Sequence, residues 1–260
     1  MSVLKGEGKV PILFASTSIS VGSLTHGAYL ARPDLEGEWP TIVVVPSAWG
    51  VTGAMKDLTR RLARQGFAAI CPDLFAGSRP ARSAEKSDAA RATLALPAAQ
   101  VRRDLDHIVR FITNPTGFWS SAEHGFGIVG FGLGGYGAAE LAQSYPGSPL
   151  AIVGTDLELT MPEDPADDEP ETAASPPAFA DWLERVVGPL LVIYGREDES
   201  APIDDVLALR RAAPHGEWVL YDGVGGDFFD DDHPGFDRAA QVDAIERLSE
   251  FFGKDLPEFD

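Results

Sequence analysis

The chain has 260 residues, 44% of them hydrophobic and 23% charged, a composition that can bury a large core as an ordinary globular protein. Its 40 acidic residues against 21 Lys and Arg leave a formal net charge of −19, which repels phosphate backbones and anionic lipid and argues against nucleic-acid or membrane-surface roles. No apolar run approaches the roughly 18–20 residues that cross a bilayer, Met1–Glu7 lack the apolar stretch of a signal peptide, and the lone Cys71 allows no internal disulfide, so a reducing, cytoplasmic setting is expected.

Strand-like runs alternate with helical patterns along the chain. Strands are expected at Pro11–Ala15 and Ala28–Ala31, paired as an antiparallel hairpin at a sheet edge, then at Thr41–Pro46. Ala54–Gln65 reads as a helix stopped by Gly66, a residue suited to the position after a helix end. A strand at Ala68–Cys71 follows, which makes Cys71 a small core residue at a strand end. Ser78–Ser87 reads as a polar loop leading toward another helix, and Ala98–Thr113 carries Val101, Leu105, Ile108 and Ile112 at helical spacing. Further strands are expected at Phe126–Gly130, Leu150–Gly154, Leu190–Tyr194 and Trp218–Tyr221, and a last helix at Asp237–Phe252. Several of the strands are unbroken apolar runs, as expected where both faces are covered. The alternation predicts one doubly wound, mostly parallel α/β sheet of about eight strands with helices on both faces. The acidic, Pro-rich stretch Asp156–Ala178, within a span that carries no Lys or Arg from Phe111 to Glu184, reads as a surface loop or lid.

The most informative segment follows the strand at Phe126. Gly130-Phe131-Gly132-Leu133-Gly134-Gly135 is a strand running into a tight glycine turn that opens a helix, the layout of the G-x-S-x-G nucleophile elbow. Its centre is Gly132, which has no side chain with which to attack a carbonyl.

Five segments in order resemble the dienelactone hydrolase family of the α/β-hydrolase fold, over about residues 28–253: Thr41–Val51, Gln65–Phe75, the turn at Gly130–Gly135, Gly195-Arg196-Glu197-Asp198 with Pro202, and Tyr221–Phe229. The resemblance implies a single α/β-hydrolase-like domain over residues 1–260. It also implies that Asp198 is the acid of a catalytic triad, that Gly132 and Gly226 stand where the nucleophile and the histidine belong, and that Ser47 replaces a glutamate of the first loop. Losing nucleophile and base together removes covalent acyl transfer. The backbone N–H groups of Leu133 and about Ala48, by position the oxyanion hole, do not depend on those side chains.

Other candidates are read more plainly. Ser47 could be a displaced nucleophile, or merely a hydrogen-bonding residue of its loop. His233, in Asp230-Asp231-Asp232-His233-Pro234, could serve as a general base or sit in a solvated acidic loop. With Asp227 that loop offers carboxylate oxygens to a divalent cation, but its spacing matches no metal motif, and neither metal nor cofactor is expected. His26, His107, His124 and His215 lack any partner pattern and read as surface or helix-end residues. Trp49, Phe131, Phe228 and Phe229 could line an apolar pocket or pack the core, to which Trp182 and Trp218 are assigned.

An oxyanion hole without a nucleophile suits proton transfer beside a carbonyl, that is, an isomerase or epimerase acting on a peptide or small carbonyl substrate in natural-product metabolism. The chain resembles the triad-less peptide epimerases of bottromycin-type biosynthesis in fold and in triad loss, and no motif links them further. The alternatives are a non-catalytic protein that binds a small hydrophobic or peptide ligand, and an esterase of the family with relocated catalytic residues.

Overall fold

The computed structural model describes residues 10–21, 24–74, 98–114, 125–157 and 179–256. The expected loop at 78–87 and the bulk of the acidic stretch at 158–178 lie outside them. Eight strands form one sheet: β1 Ile12–Val21, β2 Leu24–Pro33, β3 Thr41–Val45, β4 Ala68–Pro72, β5 Phe126–Phe131, β6 Leu150–Val153, β7 Leu190–Gly195 and β8 Glu217–Tyr221. Their spatial order is β1-β2-β4-β3-β5-β6-β7-β8. β1 pairs antiparallel with β2 and β2 antiparallel with β4, and every later pairing is parallel. The expected hairpin edge is therefore present. β1 is twice the expected length, because its Ser/Thr-rich second half continues the register from Ile12↔Pro33 to Val21↔Leu24 and buries Ile19 in the core.

The helices among the described residues are α1 Gly53–Arg64, α2 Ala98–Ile112, α3 Gly134–Ser144, α4 Phe179–Glu184, α5 Ile203–Ala212 and α6 Arg238–Asp255. Alternation along each strand sends side chains to two apolar layers. Val43, Ile70, Ile128, Ile152 and Val192 pack with Leu105 and Ile108 of α2, Leu141 of α3 and Leu183 of α4. Ile42, Val44, Ala69, Val129, Leu191 and Ile193 pack on the other face with Leu58 and Leu62 of α1 and Ala244, Leu248 and Phe252 of α6. Cys71 is buried in this second layer, as its strand-end position implies. Trp182 and Trp218 are only partly buried, packed against the first layer.

Caps account for two helix starts. Thr52 accepts from the Met55 amide at the head of α1 and Asp237 from Ala240 at the head of α6, each satisfying a donor that the first turn leaves unpaired. Gly66 follows α1 with φ +100°, the left-handed region that suits glycine at a helix end. No helix among the described residues is long and apolar enough to cross a membrane.

Candidate active site at the carboxyl ends of the strands

In a parallel sheet of this kind, ligands are received where strands end and loops begin. β3, β5, β6 and β7 end side by side, and the chain there turns four times. After β5, Gly132 sits at φ +48° and its carbonyl accepts from the Gly135 amide. That closes a tight turn from which α3 starts at Gly134. The approach of α3 is close because its first residues have no side chains: a Cβ on Gly134 would overlap the Pro46 carbonyl, and one on Gly135 would overlap Thr155 Oγ1. The elbow geometry thus rests on glycines whose absence of a Cβ is a packing requirement. Ala48 and Leu133, the expected amide donors, are both buried, and neither N–H is engaged by another group among the described residues.

Gly132 is different, since its neighbours leave room. A Cβ there would stand 3.1 Å from Ser47 Cβ and 3.8 Å from Asp156 Oδ2. Ser47 is half-buried, and its hydroxyl accepts from the Trp49 amide at 3.4 Å. Across the sheet, Gly226 stands against Asp198: a Cβ would lie 2.6 Å from Asp198 Oδ1, closer than real contacts allow. The two positions paired by the sequence are therefore both at the strand ends, one beside Ser47 and Asp156 and the other beside Asp198.

Asp198 is buried and does not lack a partner. Its Oδ1 accepts from the Ser200 amide at 2.9 Å and from the Ser200 hydroxyl at 2.7 Å, and the same hydroxyl lies 2.6 Å from Asp156 Oδ1. Ser200 Oγ carries one proton between two carboxyl groups, so it serves one of them at a time. The segment after β6 is fixed around this bridge. The Tyr194 hydroxyl donates to the Thr155 carbonyl at 3.1 Å, the Tyr136 hydroxyl to the Asp156 carbonyl at 3.4 Å, and the Leu157 amide to the Ser200 carbonyl at 2.8 Å. Burial pushes the Tyr194 phenol well above its ordinary range. Burial first, and the nearby Asp156 charge second, push Tyr136 up to about 12. Both remain neutral donors.

Asp156 corrects a sequence expectation. It opens the acidic stretch assigned to a surface loop, yet it is only 5% exposed, held under the strand ends by Ser200. No local pattern signals it, because the groups that hold it are distant in the chain: a hydroxyl 44 residues on at its carboxyl group and a tyrosine 20 residues back at its carbonyl.

The cleft in front of Gly132 encloses about 380 Å³, counting its open mouth, and is walled by Ser47, Trp49, Phe131, Asp227, Phe229 and Asp230, among others. Phe131, Phe228 and Phe229 both line this cleft and pack on neighbouring rings. Phe131 packs on Phe229 with centroids 4.7 Å apart, and Phe228 is buried against Tyr221 while also reaching the wall. His233 lies at the rim, its ring 4.5 Å from that of Trp49. Asp227 takes a left-handed φ of 57° and, with the buried Asp230, makes the mouth acidic.

The profile of the dienelactone hydrolase family matches residues 26–256. The chain belongs to that family. A relative from Salmonella typhimurium, provisionally named a carboxymethylenebutenolidase, is 31% identical over 245 residues, covering 87% of this chain and 82% of the relative. A protein of the same name from Escherichia coli K12 is 30% identical, over 93% of this chain and 87% of its own length. A crystal structure from Klebsiella pneumoniae, provisionally named a dienelactone hydrolase, superposes with a TM-score of 0.75 at 28% identity, covering 94% of this chain and 99% of that one. The dienelactone hydrolase-like promiscuous phosphotriesterase P91 shares the fold at a TM-score of 0.69 and 21% identity, over 95% and 99% of the two chains.

Proposed function

We propose that this dienelactone hydrolase family member is an acid–base enzyme for small neutral or cationic esters and lactones, with Asp156 in place of the missing nucleophile–histidine pair. One observation carries the reading: the Asp156 carboxylate lies 3.8 Å from the point where a side chain on Gly132 would begin. In the space that glycine leaves, a water oxygen attacks the substrate carbonyl carbon as its proton passes to Asp156. The carbonyl oxygen takes up negative charge against the Ala48 and Leu133 amides, each such donor contributing about 3 kcal/mol. Collapse of the intermediate breaks the bond to the leaving oxygen, which takes the proton back from Asp156. Ser200 holds the carboxyl group in place when its hydroxyl donates to Asp156, and its amide keeps Asp198 alongside.

The hydrolase names of the relatives favour this relocated chemistry. The substrate charge follows from the walls, where Asp227 and Asp230 face the cleft and no Lys or Arg joins them among the described residues. A carboxylate-bearing substrate, as the relatives' name implies for theirs, would meet like charge here.

A second reading uses the same groups. Asp156 removes a proton from the carbon next to the carbonyl, the amides hold the enolate, and return of the proton to the other face isomerises the substrate. The aromatic wall of Trp49, Phe131 and Phe229 favours it by keeping water from the carbanion. A peptide epimerase of natural-product metabolism would work in this way.

Incubation of neutral aryl esters and lactones in H₂¹⁸O and in D₂O separates the two. Label in the released acid, with a rate that falls about 10²–10⁴-fold in Asp156→Asn, supports the first reading. Deuterium at the α-carbon without cleavage supports the second. Hydrolysis that survives Asp156→Asn but vanishes in Ser47→Ala would overturn both and make Ser47 a displaced nucleophile. Ligand-induced stabilisation with neither reaction would leave a binding protein.

A further inference from the structure

A second set of chemistry-bearing side chains lies outside the cleft. His26 stands near the start of β2, and Asp104 and His107 stand one turn apart on α2. One ligand atom from each falls within 4.8 Å of the other two. His26 and His107 read as separate surface or helix-end residues in the sequence; the fold brings them together, with ring centroids 5.7 Å apart. His26 Nε2 lies 3.6 Å from Asp104 Oδ1. A hydrogen bond closes at about 2.7–3.2 Å, whereas two atoms each bonded at about 2.0–2.1 Å to one tetrahedral cation stand roughly 3.3 Å apart. His26 Nε2 and His107 Nδ1 are both shielded from solvent and make no hydrogen bond among the described residues. Buried ring nitrogens without a partner ask for an explanation.

We propose that His26, Asp104 and His107 bind a divalent transition-metal ion of the Zn²⁺ type, with water in the fourth position. Two imidazoles and a carboxylate suit such an ion better than Ca²⁺ or Mg²⁺, which prefer all-oxygen sets. The ion ties β2, in the antiparallel edge of the sheet, to α2 in the first apolar layer. None of the three residues lines the cleft, so the role is a structural clip that is separable from catalysis.

Titration of the chelator-treated, dialysed full chain with ZnCl₂ by calorimetry tests this, with Co²⁺ absorption reporting the coordination geometry. The expected result is one equivalent bound, a rise in Tm and a tetrahedral Co²⁺ spectrum. Removing one ligand in His26→Gln, Asp104→Asn or His107→Gln should weaken binding about 100-fold or more, beyond the usual effect of losing an outer-sphere partner, with the metal-free Tm of each variant reporting its fold. Wild-type protein that shows neither heat nor a Tm shift, or binding in all three variants as tight as in the wild type, would overturn the proposal.

Discussion

At Gly226 a missing side chain and a filled space coincide. Any Cβ there meets Asp198 Oδ1 at 2.6 Å, and Asp198 is held in that position by the amide and hydroxyl of Ser200. Gly132→Ser combined with Gly226→His should therefore not produce covalent catalysis. The double variant is expected to lose about 1–3 kcal/mol to overpacking and to form no adduct with a fluorophosphonate, as read by denaturant unfolding and intact mass. Ser200→Ala removes the hydroxyl between two buried carboxyl groups. It should lower kcat with little change in KM, since Ser200 positions Asp156 and the substrate-facing wall stays intact. Of these residues, Gly132, Gly226 and Asp198 were legible as positions in ordered motifs. Asp156 was not, because nothing near it in the chain distinguishes it from the carboxylates that follow.

Among the elements, the crossover after β6 matters most, since it carries Asp156 beneath the neighbouring strand ends. Tyr194 at the end of β7 fixes it through the Thr155 carbonyl. Tyr194→Phe should cost about 1 kcal/mol of stability and reduce kcat along with it. Asp237→Ala, by contrast, removes the cap of α6 through a side chain that does not line the cleft and leaves the Asp237 amide on the Phe228 carbonyl; it should cost a similar ~1 kcal/mol while leaving kcat unchanged, so the pair separates stability from positioning. α5 illustrates why some elements escape sequence reading. It buries only Val206 and Leu209, too thin a stripe for apolar periodicity to register. Its Asp204 and Asp205 in the first turn and Arg210 and Arg211 in the last suit the helix dipole, and that was the available signal.

For the molecule as a whole, the tyrosines set an alkaline limit. Burial raises Tyr136 to about 12 and also raises Tyr194 and Tyr221. The folded state keeps phenolic protons that the unfolded chain releases near pH 10, so this contribution is complete below about pH 10 and is lost as pH climbs toward the folded values. Tyr136 alone accounts for at most about 3 kcal/mol. Denaturant midpoints should fall between pH 9 and pH 12, and by less in Tyr136→Phe. The sheet itself followed from the amino-acid order, because apolar runs separated by helical stretches have essentially one way to bury both faces. Glycines at a strand end announced the elbow for the same local reason. The Asp156–Ser200–Asp198 bridge and the His26–Asp104–His107 cluster were decided only by the tertiary structure. Their members come from different strands, loops and helices, and a bond between such distant residues depends on how those elements pack, which no short stretch of chain encodes.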